Sequence, residues 1–164
     1  MNSLYDNIRC DVVLETTDLA TSLITTAYVD MLNYHRVLFV AHFGTISSSN
    51  AISVARLVQA TASAGTGVKA LGYSTSGAIQ TFTAINQATQ TTPTGLDVES
   101  GRKIALEANA ISMDGANLFR YAAMEIQASQ GTSTFNVTIV AIRIPKFCQA
   151  LLNASSALNI LKAV

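Results

Sequence analysis

Hydrophobic and polar residues alternate with a period of two through most of the chain, and turn-forming residues interrupt the alternation at short intervals. Such alternation, rich in β-branched residues, predicts half-buried β-strands. The clearest predicted strands are residues 8–15, 23–32, 34–43, 68–71 and 78–85. Residues 18–21, 64–67, 87–95 and 114–117 have the composition of connections and turns between strands. The chain is therefore predicted to be mainly β.

Residues 34–43 form the strongest predicted strand, because the run from Val37 to Ala41 is apolar on both faces. A strand of this kind belongs at the centre of a sheet that is covered on both sides. The pattern leaves the secondary structure of two other segments undecided. Residues 52–58 alternate like a strand but also fit a short helix that begins at Asn50, and residues 103–111 fit either structure.

Residues 118–127 and 135–144 give the best candidate for a β-hairpin, joined through the turn-forming residues 129–132. In the second of these strands, Phe135, Val137, Ile139 and Ala141 share one face, while Asn136 and Thr138 lie on the other. Pro145 is expected to stop the sheet, because proline cannot donate a ladder hydrogen bond. About eight short strands at regular spacing predict a sandwich or a barrel, and we favour a single β-sandwich domain over residues 1–145 with a short N-terminal arm.

Residues 146–164 contain neither glycine nor proline and are predicted to form a C-terminal α-helix. Its apolar positions are spaced by 4, 3, 4 and 3 residues, which is a heptad pattern. These positions, here called the C-terminal seam, are Phe147, Leu151, Ala154, Leu158 and Leu161. About two heptads are too short for an isolated coiled coil. The seam, with Phe147, Leu151, Leu158 and Leu161 as candidate interface residues, is therefore expected to pack on its own domain or on a neighbouring subunit.

The low content of charged residues and the balanced charge limit the classes of function that fit the chain. Only 12% of the 164 residues are charged, about half of the roughly 25% that is usual in soluble domains. Ten basic residues balance ten acidic ones, so no net field favours nucleic acid or an anionic membrane. A weakly charged surface of this kind tends to self-associate unless other proteins cover it. The composition thus favours a protein that works in contact with others.

The first seven residues lack a secretion signal, and no apolar run is long enough to span a membrane. Cys10 and Cys148 do not make a disulfide framework, so both are expected to be free thiols that are buried like small hydrophobic residues. The protein is accordingly expected to be made in a cytoplasm.

Candidate chemistry is sparse. Residues 72–77 have the glycine spacing of a phosphate loop, but Ala78 and Ile79 stand where that loop needs Lys and Ser or Thr. His35 and His42 are an odd number of positions apart, so one strand should send them to opposite faces, with His42 partly buried. Neither a triad with Cys148 nor a carboxylate pair at Asp97 and Glu99 has a supporting signature. The sequence predicts no catalytic residue, no metal site and no cofactor, and hence a protein that is not an enzyme.

Three stretches of the chain together carry a resemblance to a known family. The first is residues 34–40 followed by Gly44, and the second is residues 57–60 with residues 65–72. The third begins at Phe119 and runs into a Thr- and Val-rich strand that ends at Pro145. In residue style and order, over most of residues 34–145, the chain resembles small virion proteins that tailed bacteriophages encode among their head genes.

This resemblance implies a capsid decoration (cement) protein, with a jelly-roll or related β-sandwich, that forms homotrimers on the head lattice and has no catalytic residues. The implied partners are other copies of the chain and the major capsid protein or another virion protein, without nucleic acid or membrane, in the virion. The C-terminal helix is not a feature of that family, which leaves a head–tail connector or tail protein as an alternative. A β-sandwich module that binds carbohydrate or a host surface is a second class, although sugar stacking needs exposed aromatic residues and the chain has no Trp and five Tyr.

Overall fold

The computed structural model describes residues 8–19, 22–46, 50–71, 96–98, 103–128 and 135–146. This part of the chain forms ten β-strands and two 3₁₀ turns. The strands are β1 (Arg9–Asp18), β2 (Ile24–Thr25), β3 (Val29–Asp30), β4 (Tyr34–Ile46), β5 (Asn50–Ala60), β6 (Lys69–Ala70), β7 (Leu96–Val98), β8 (Lys103–Asn109), β9 (Tyr121–Ala128) and β10 (Phe135–Pro145). The 3₁₀ turns, Ala110–Ser112 and Gly115–Asn117, lie between β8 and β9. The prediction of a mainly β protein is confirmed.

The strands form two antiparallel sheets. The first sheet has the order β1-β10-β4-β8. The second has the order β2-β9-β5-β6, with β3 also paired to β9 and β7 also paired to β5. Because β2 and β3 follow one another along β9, and β6 and β7 follow one another along β5, each of these pairs occupies one strand position. Both sheets therefore have four positions.

The two sheets bury one shared hydrophobic core in a sandwich-like arrangement. Alternate residues of β4 and β10 point into it and are fully buried: Val37, Phe39, Ala41, Phe43, Phe135, Val137, Ile139 and Ala141. The second sheet contributes Ile52, Leu57, Met124 and Ile126 to the same cluster. The rings of Phe43 and Phe135 lie 5.4 Å apart in a tilted contact. The one-sided apolar face predicted for residues 135–141 is confirmed.

The strand predicted at residues 34–43 extends to Ile46 and is central in its sheet, between β10 and β8. Within the described residues its outward side chains Leu38 and Val40 are only half-buried, so the expected cover on both faces stays a prediction. The segment at residues 52–58 is a strand, so the helical alternative is wrong there. Residues 103–111 begin as strand β8 and end in the first 3₁₀ turn.

The strand predicted at residues 23–32 is split into β2 and β3 around Thr26. The buried hydroxyl of Thr26 accepts a hydrogen bond from the Met124 backbone N–H at 3.1 Å. The Thr26 backbone N–H in turn donates to the Met124 carbonyl at 3.0 Å. A side chain therefore replaces one ladder bond at this point, which interrupts the regular pairing.

The predicted hairpin is wrong. Both strands exist, but β9 belongs to the second sheet and β10 to the first. Period-two alternation specifies that a segment is a strand and which face is buried, whereas it carries no information about the partner strand. The strand predicted at residues 78–85, the loop at 87–95 and the C-terminal helix lie outside the described residues.

Candidate interaction surface

One end of the molecule, here called the loop end, gathers three connections: residues 31–33, 61–68 and 110–120. Strand pairing brings them together, because Tyr121 at the start of β9 is opposite both Asp30 and Ala60. At the same end, Arg36 near the start of β4 is opposite Asn109 at the end of β8.

The loop end presents large aliphatic side chains to solvent. The structure describes seven exposed large hydrophobic residues, and four of them lie here: Leu32, Val68, Ile111 and Leu118. Ile111 is 88% exposed and Leu118 is 77% exposed. Single exposed apolar residues are ordinary, but a group of them at one place indicates a contact surface.

The connection between β8 and β9 is held in place by hydrogen bonds. The Asp114 carboxylate forms an ion pair with Lys69 and accepts from the Asn117 side-chain amide at 2.8 Å. The backbone N–H of Asp114 donates to the buried Gln59 side chain at 2.9 Å, and Asn109 caps the first 3₁₀ turn through the Ile111 N–H at 3.1 Å. The hydrogen bonds from Lys69 and then Asn117 lower the pKa of Asp114 below its usual value. The loop that carries the exposed aliphatic residues is therefore preorganised.

Leu118 has a left-handed backbone conformation, with φ 63° and ψ 19°. It is the only non-glycine residue with positive φ among the described residues. This conformation costs an L-amino acid about 1–2 kcal/mol, and Gly or Asn adopts it more easily. Since Leu118 is mostly exposed, packing within the chain recovers little of that cost. Strain of this kind at an exposed position suggests a functional constraint.

Close to the loop end, Arg143 forms polar and aromatic contacts that connect several strands. It is buried, forms an ion pair with Asp11, and donates to the backbone carbonyl of Asp30 at 3.1 Å. Its guanidinium lies 4.4 Å from the centroid of the Tyr34 ring. Arg9 adds a second ion pair to Asp11 at 3.0 Å. These contacts connect β1, β3, β4 and β10, so we interpret the role of this cluster as stabilising the fold.

A second apolar surface lies on the outer face of the first sheet. Strand register aligns Val12, Val140, Val40 and Ala105 in one row across all four strands, and Cys10, Ile142, Leu38 and Glu107 in the next. Five of these outward residues, together with the neighbouring Ile144, form what we call the outer-face patch: Val12, Leu38, Val40, Val140, Ile142 and Ile144. Val12 is 61% exposed and Ile144 is 45% exposed, while the others are half-buried. On the second sheet, by contrast, Val58 and Glu125 are already buried.

The structure corrects two expectations about single residues. Both histidines are exposed, so the expected partial burial of His42 is wrong. Cys10 is also exposed rather than buried, although the burial it has, together with Asp11, raises the pKa of its thiol. Cys148 lies outside the described residues, so the absence of a Cys10–Cys148 bond stays a prediction. Among the residues that the structure describes, no group of three His, Cys, Asp or Glu could hold a metal ion.

The C-terminal seam lies outside the described residues, so its role as an interface stays a prediction. The sequence pattern did not predict the loop end as a contact surface. Its one available signal was the pair of large aliphatic residues, Ile111 and Leu118, on either side of a predicted turn. Alternation alone does not reveal that neither side chain has a core position to fill.

Comparison with family models gives no match, and neither does comparison with curated proteins or with solved structures. Among the described residues, no helix is long and apolar enough to cross a membrane.

Proposed function

We propose that the chain is a non-enzymatic structural protein of a bacteriophage virion, a capsid decoration protein with a jelly-roll fold that binds the head lattice as a homotrimer. The observation that carries the proposal is the nested pairing of the strands. The first strand position pairs with the last, the second with the seventh, the third with the sixth and the fourth with the fifth.

This nesting is what a long antiparallel hairpin acquires when it rolls up into two sheets. The outermost and third pairs, β1–β10 and β4–β8, share the first sheet. The other two pairs, β2/β3–β9 and β5–β6/β7, share the second. Eight strand positions arranged as two four-position sheets agree with a jelly roll. Jelly rolls recur in viral capsid proteins, so the topology favours a virion role.

The fold alone does not decide the function, because lectins and cupins use it as well. Two further observations favour a virion role. Residues 34–145 resemble small phage proteins encoded among head genes, which points to the phage head as the assembly. The loop end offers a surface for contact with another protein of that assembly. Its exposed hydrophobic residues are aliphatic, and the connection that carries two of them, Ile111 and Leu118, is preorganised, which lowers the entropy lost on docking to another protein. A carbohydrate site would instead present exposed aromatic rings for sugar stacking, whereas the one aromatic residue of these connections, Phe119, is half-buried.

We therefore propose the loop end as the surface that meets the major capsid protein, after synthesis in the host cytoplasm. A head–tail connector or another tail protein would use the same kind of contact at a different place in the particle. The low content of charged residues, 12%, supports a protein whose surface is largely covered in its assembly.

The test begins with purified virions, in which mass spectrometry should detect the chain in many copies per particle. Heads made without the protein should bind it when it is added back, and Leu118→Asn should weaken this binding at least tenfold, because anchors of an interface each contribute about 2 kcal/mol or more. Leu23→Asn is the matched control, since Leu23 is exposed near the opposite end of β9. Absence of the chain from virions would refute the proposal, and a monomer by light scattering would refute the trimer.

A further inference from the structure

We propose that residues 147–164 fold back over the outer-face patch of their own chain and cover it with the C-terminal seam. The inference is independent of the virion role. It rests on where the described chain ends, on the composition of the outer face, and on the length of the segment that follows.

The segment starts at the end of the first sheet that lies beside the loop end, in line with one of the two central strands. Strand β10 ends at Pro145 and lies between β1 and β4, with neighbours on both sides. The Lys146 backbone N–H donates to the Asn33 carbonyl at 2.9 Å, and its ammonium group donates to the Leu32 carbonyl at 2.9 Å. These two bonds hold the start of the segment next to Ile144, which is the first residue of the outer-face patch.

The lengths agree. From Ile144 to Val140 the patch runs four residues along β10, or about 13 Å at the rise of an antiparallel strand. Residues 147–164 would span about 27 Å as a helix. The seam from Phe147 to Leu161 is therefore long enough to cross the patch after a reversal at Lys146.

The chemical character of the two surfaces also agrees. The patch is an apolar strip with polar borders: the Arg36–Glu107 ion pair at 3.3 Å lies on one side, and the hydrogen-bonded hydroxyls of Thr16 and Thr138 lie on another. The seam is likewise an apolar stripe. The residues between its members include the polar Asn153, Ser155 and Asn159 as well as the apolar Leu152 and Ile160. An amphipathic helix can bury such a stripe while its polar residues stay in water.

The same chain is favoured over a neighbour because the segment is tethered at the edge of the patch. A short tether gives an effective concentration in the millimolar range, which exceeds the concentration of other copies in dilute solution. Docking in the same chain should therefore persist on dilution, whereas docking on a second copy should be lost.

Cys10 provides a native probe of this contact. It is exposed on β1 directly opposite Ile142, in the second row of the outer face. Its alkylation by a small maleimide can be followed in the full-length protein by peptide mass spectrometry, which separates it from Cys148. A docked segment should slow this reaction, and the slowing should be the same at all protein concentrations.

Leu158→Asp should release the segment and speed alkylation of Cys10 at least about tenfold, since burial of one Leu is worth that factor or more in a docking equilibrium. The matched control is Asn159→Asp, which adds the same charge beside the seam and should change the rate less than twofold. Equal rates in wild type and Leu158→Asp would show that the patch is bare and overturn the proposal. Protection of Cys10 that disappears on dilution would also overturn it, in favour of a second copy.

A second measurement needs no substitution, and so decides the matter even if Leu158→Asp does not fold. A chain that continued straight beyond β10 would place Cys148 about 20 Å from Ile142. A short bifunctional thiol reagent should link Cys10 to Cys148 within one chain if the segment folds back. Links only between chains, or no link at all, would contradict the proposal.

Discussion

Leu118 gives the sharpest test of whether the loop end is shaped for contact rather than for stability. The change is Leu118→Asn, which keeps a side chain of similar length and replaces a residue that is strained at φ 63° by one that tolerates this conformation. Relief of the left-handed backbone is worth about 1–2 kcal/mol. Because Leu118 is 77% exposed, the lost burial is about a quarter of the 1.5–3 kcal/mol for a fully buried Leu, or about 0.4–0.7 kcal/mol.

The difference predicts that Leu118→Asn stabilises the isolated protein by about 0.3–1.6 kcal/mol. Urea unfolding would show this as a higher midpoint at unchanged slope. Leu118→Gly relieves the same strain but adds freedom to the unfolded chain, at a cost of about 0.5–1 kcal/mol, so it should be nearly neutral. The expected order of stability is thus Asn, then Gly and Leu together.

A loss of more than about 0.5 kcal/mol in the Asn variant would refute this reasoning, since surface substitutions usually stay within that range. It would mean that Leu118 packs within the chain and that its conformation is not a cost to the fold. If the variant is instead more stable but binds virions more weakly, stability and contact oppose each other at this position, as is typical of functional sites.

Two further predictions concern stability. Gly65→Ala should lower the free energy of unfolding, measured by urea titration, by about 1–3 kcal/mol, because Gly65 has φ +79° and an added Cβ would lie 2.9 Å from the Tyr28 ring. Gly115→Ala is the control: a Cβ there would meet nothing within 4 Å, so the free energy of unfolding should change by less than about 0.5 kcal/mol. Arg143→Ala should destabilise by about 2–4 kcal/mol in thermal unfolding, because Arg143 is buried and its ion pair with Asp11 is partly buried. Arg36→Ala breaks an exposed pair and should cost less than about 1 kcal/mol. Equal losses in the two Arg variants would contradict the assigned difference in burial.

The residues that alternation predicts well are those whose faces differ strongly. Phe135, Val137 and Ile139 were placed correctly because the polar residues Asn136 and Thr138 alternate with them, and the structure buries the apolar face. The error at Cys10 has a different cause. Its neighbours in β1 alternate, but the outer face of this sheet is itself apolar at Val12, so hydrophobicity does not distinguish inside from outside there.

Strand partners could not be predicted because nesting depends on contacts between residues far apart in the chain. Arg9 is opposite Arg143 in the register of β1 and β10. Both side chains are positively charged, so no local sequence pattern would predict this pairing. The repulsion is offset by Asp11, which forms ion pairs with both residues. This three-residue arrangement is visible only once β1 and β10 are side by side, and the same limit led to the incorrect hairpin of β9 with β10.

The two apolar surfaces have different physical characters, and this separates their roles. At the loop end, a hydrogen-bonded connection projects Ile111 and Leu118 away from the core, which suits a preformed contact with another protein. The outer-face patch lies on the face of a sheet, and four of its six residues are half-buried, which suits a covering helix. If the C-terminal segment covers the patch, the largest remaining group of exposed aliphatic residues in the described structure is the loop end. Leu158→Asp should then expose the sheet of the single chain, whereas Leu118→Asn should leave the chain folded and weaken its assembly.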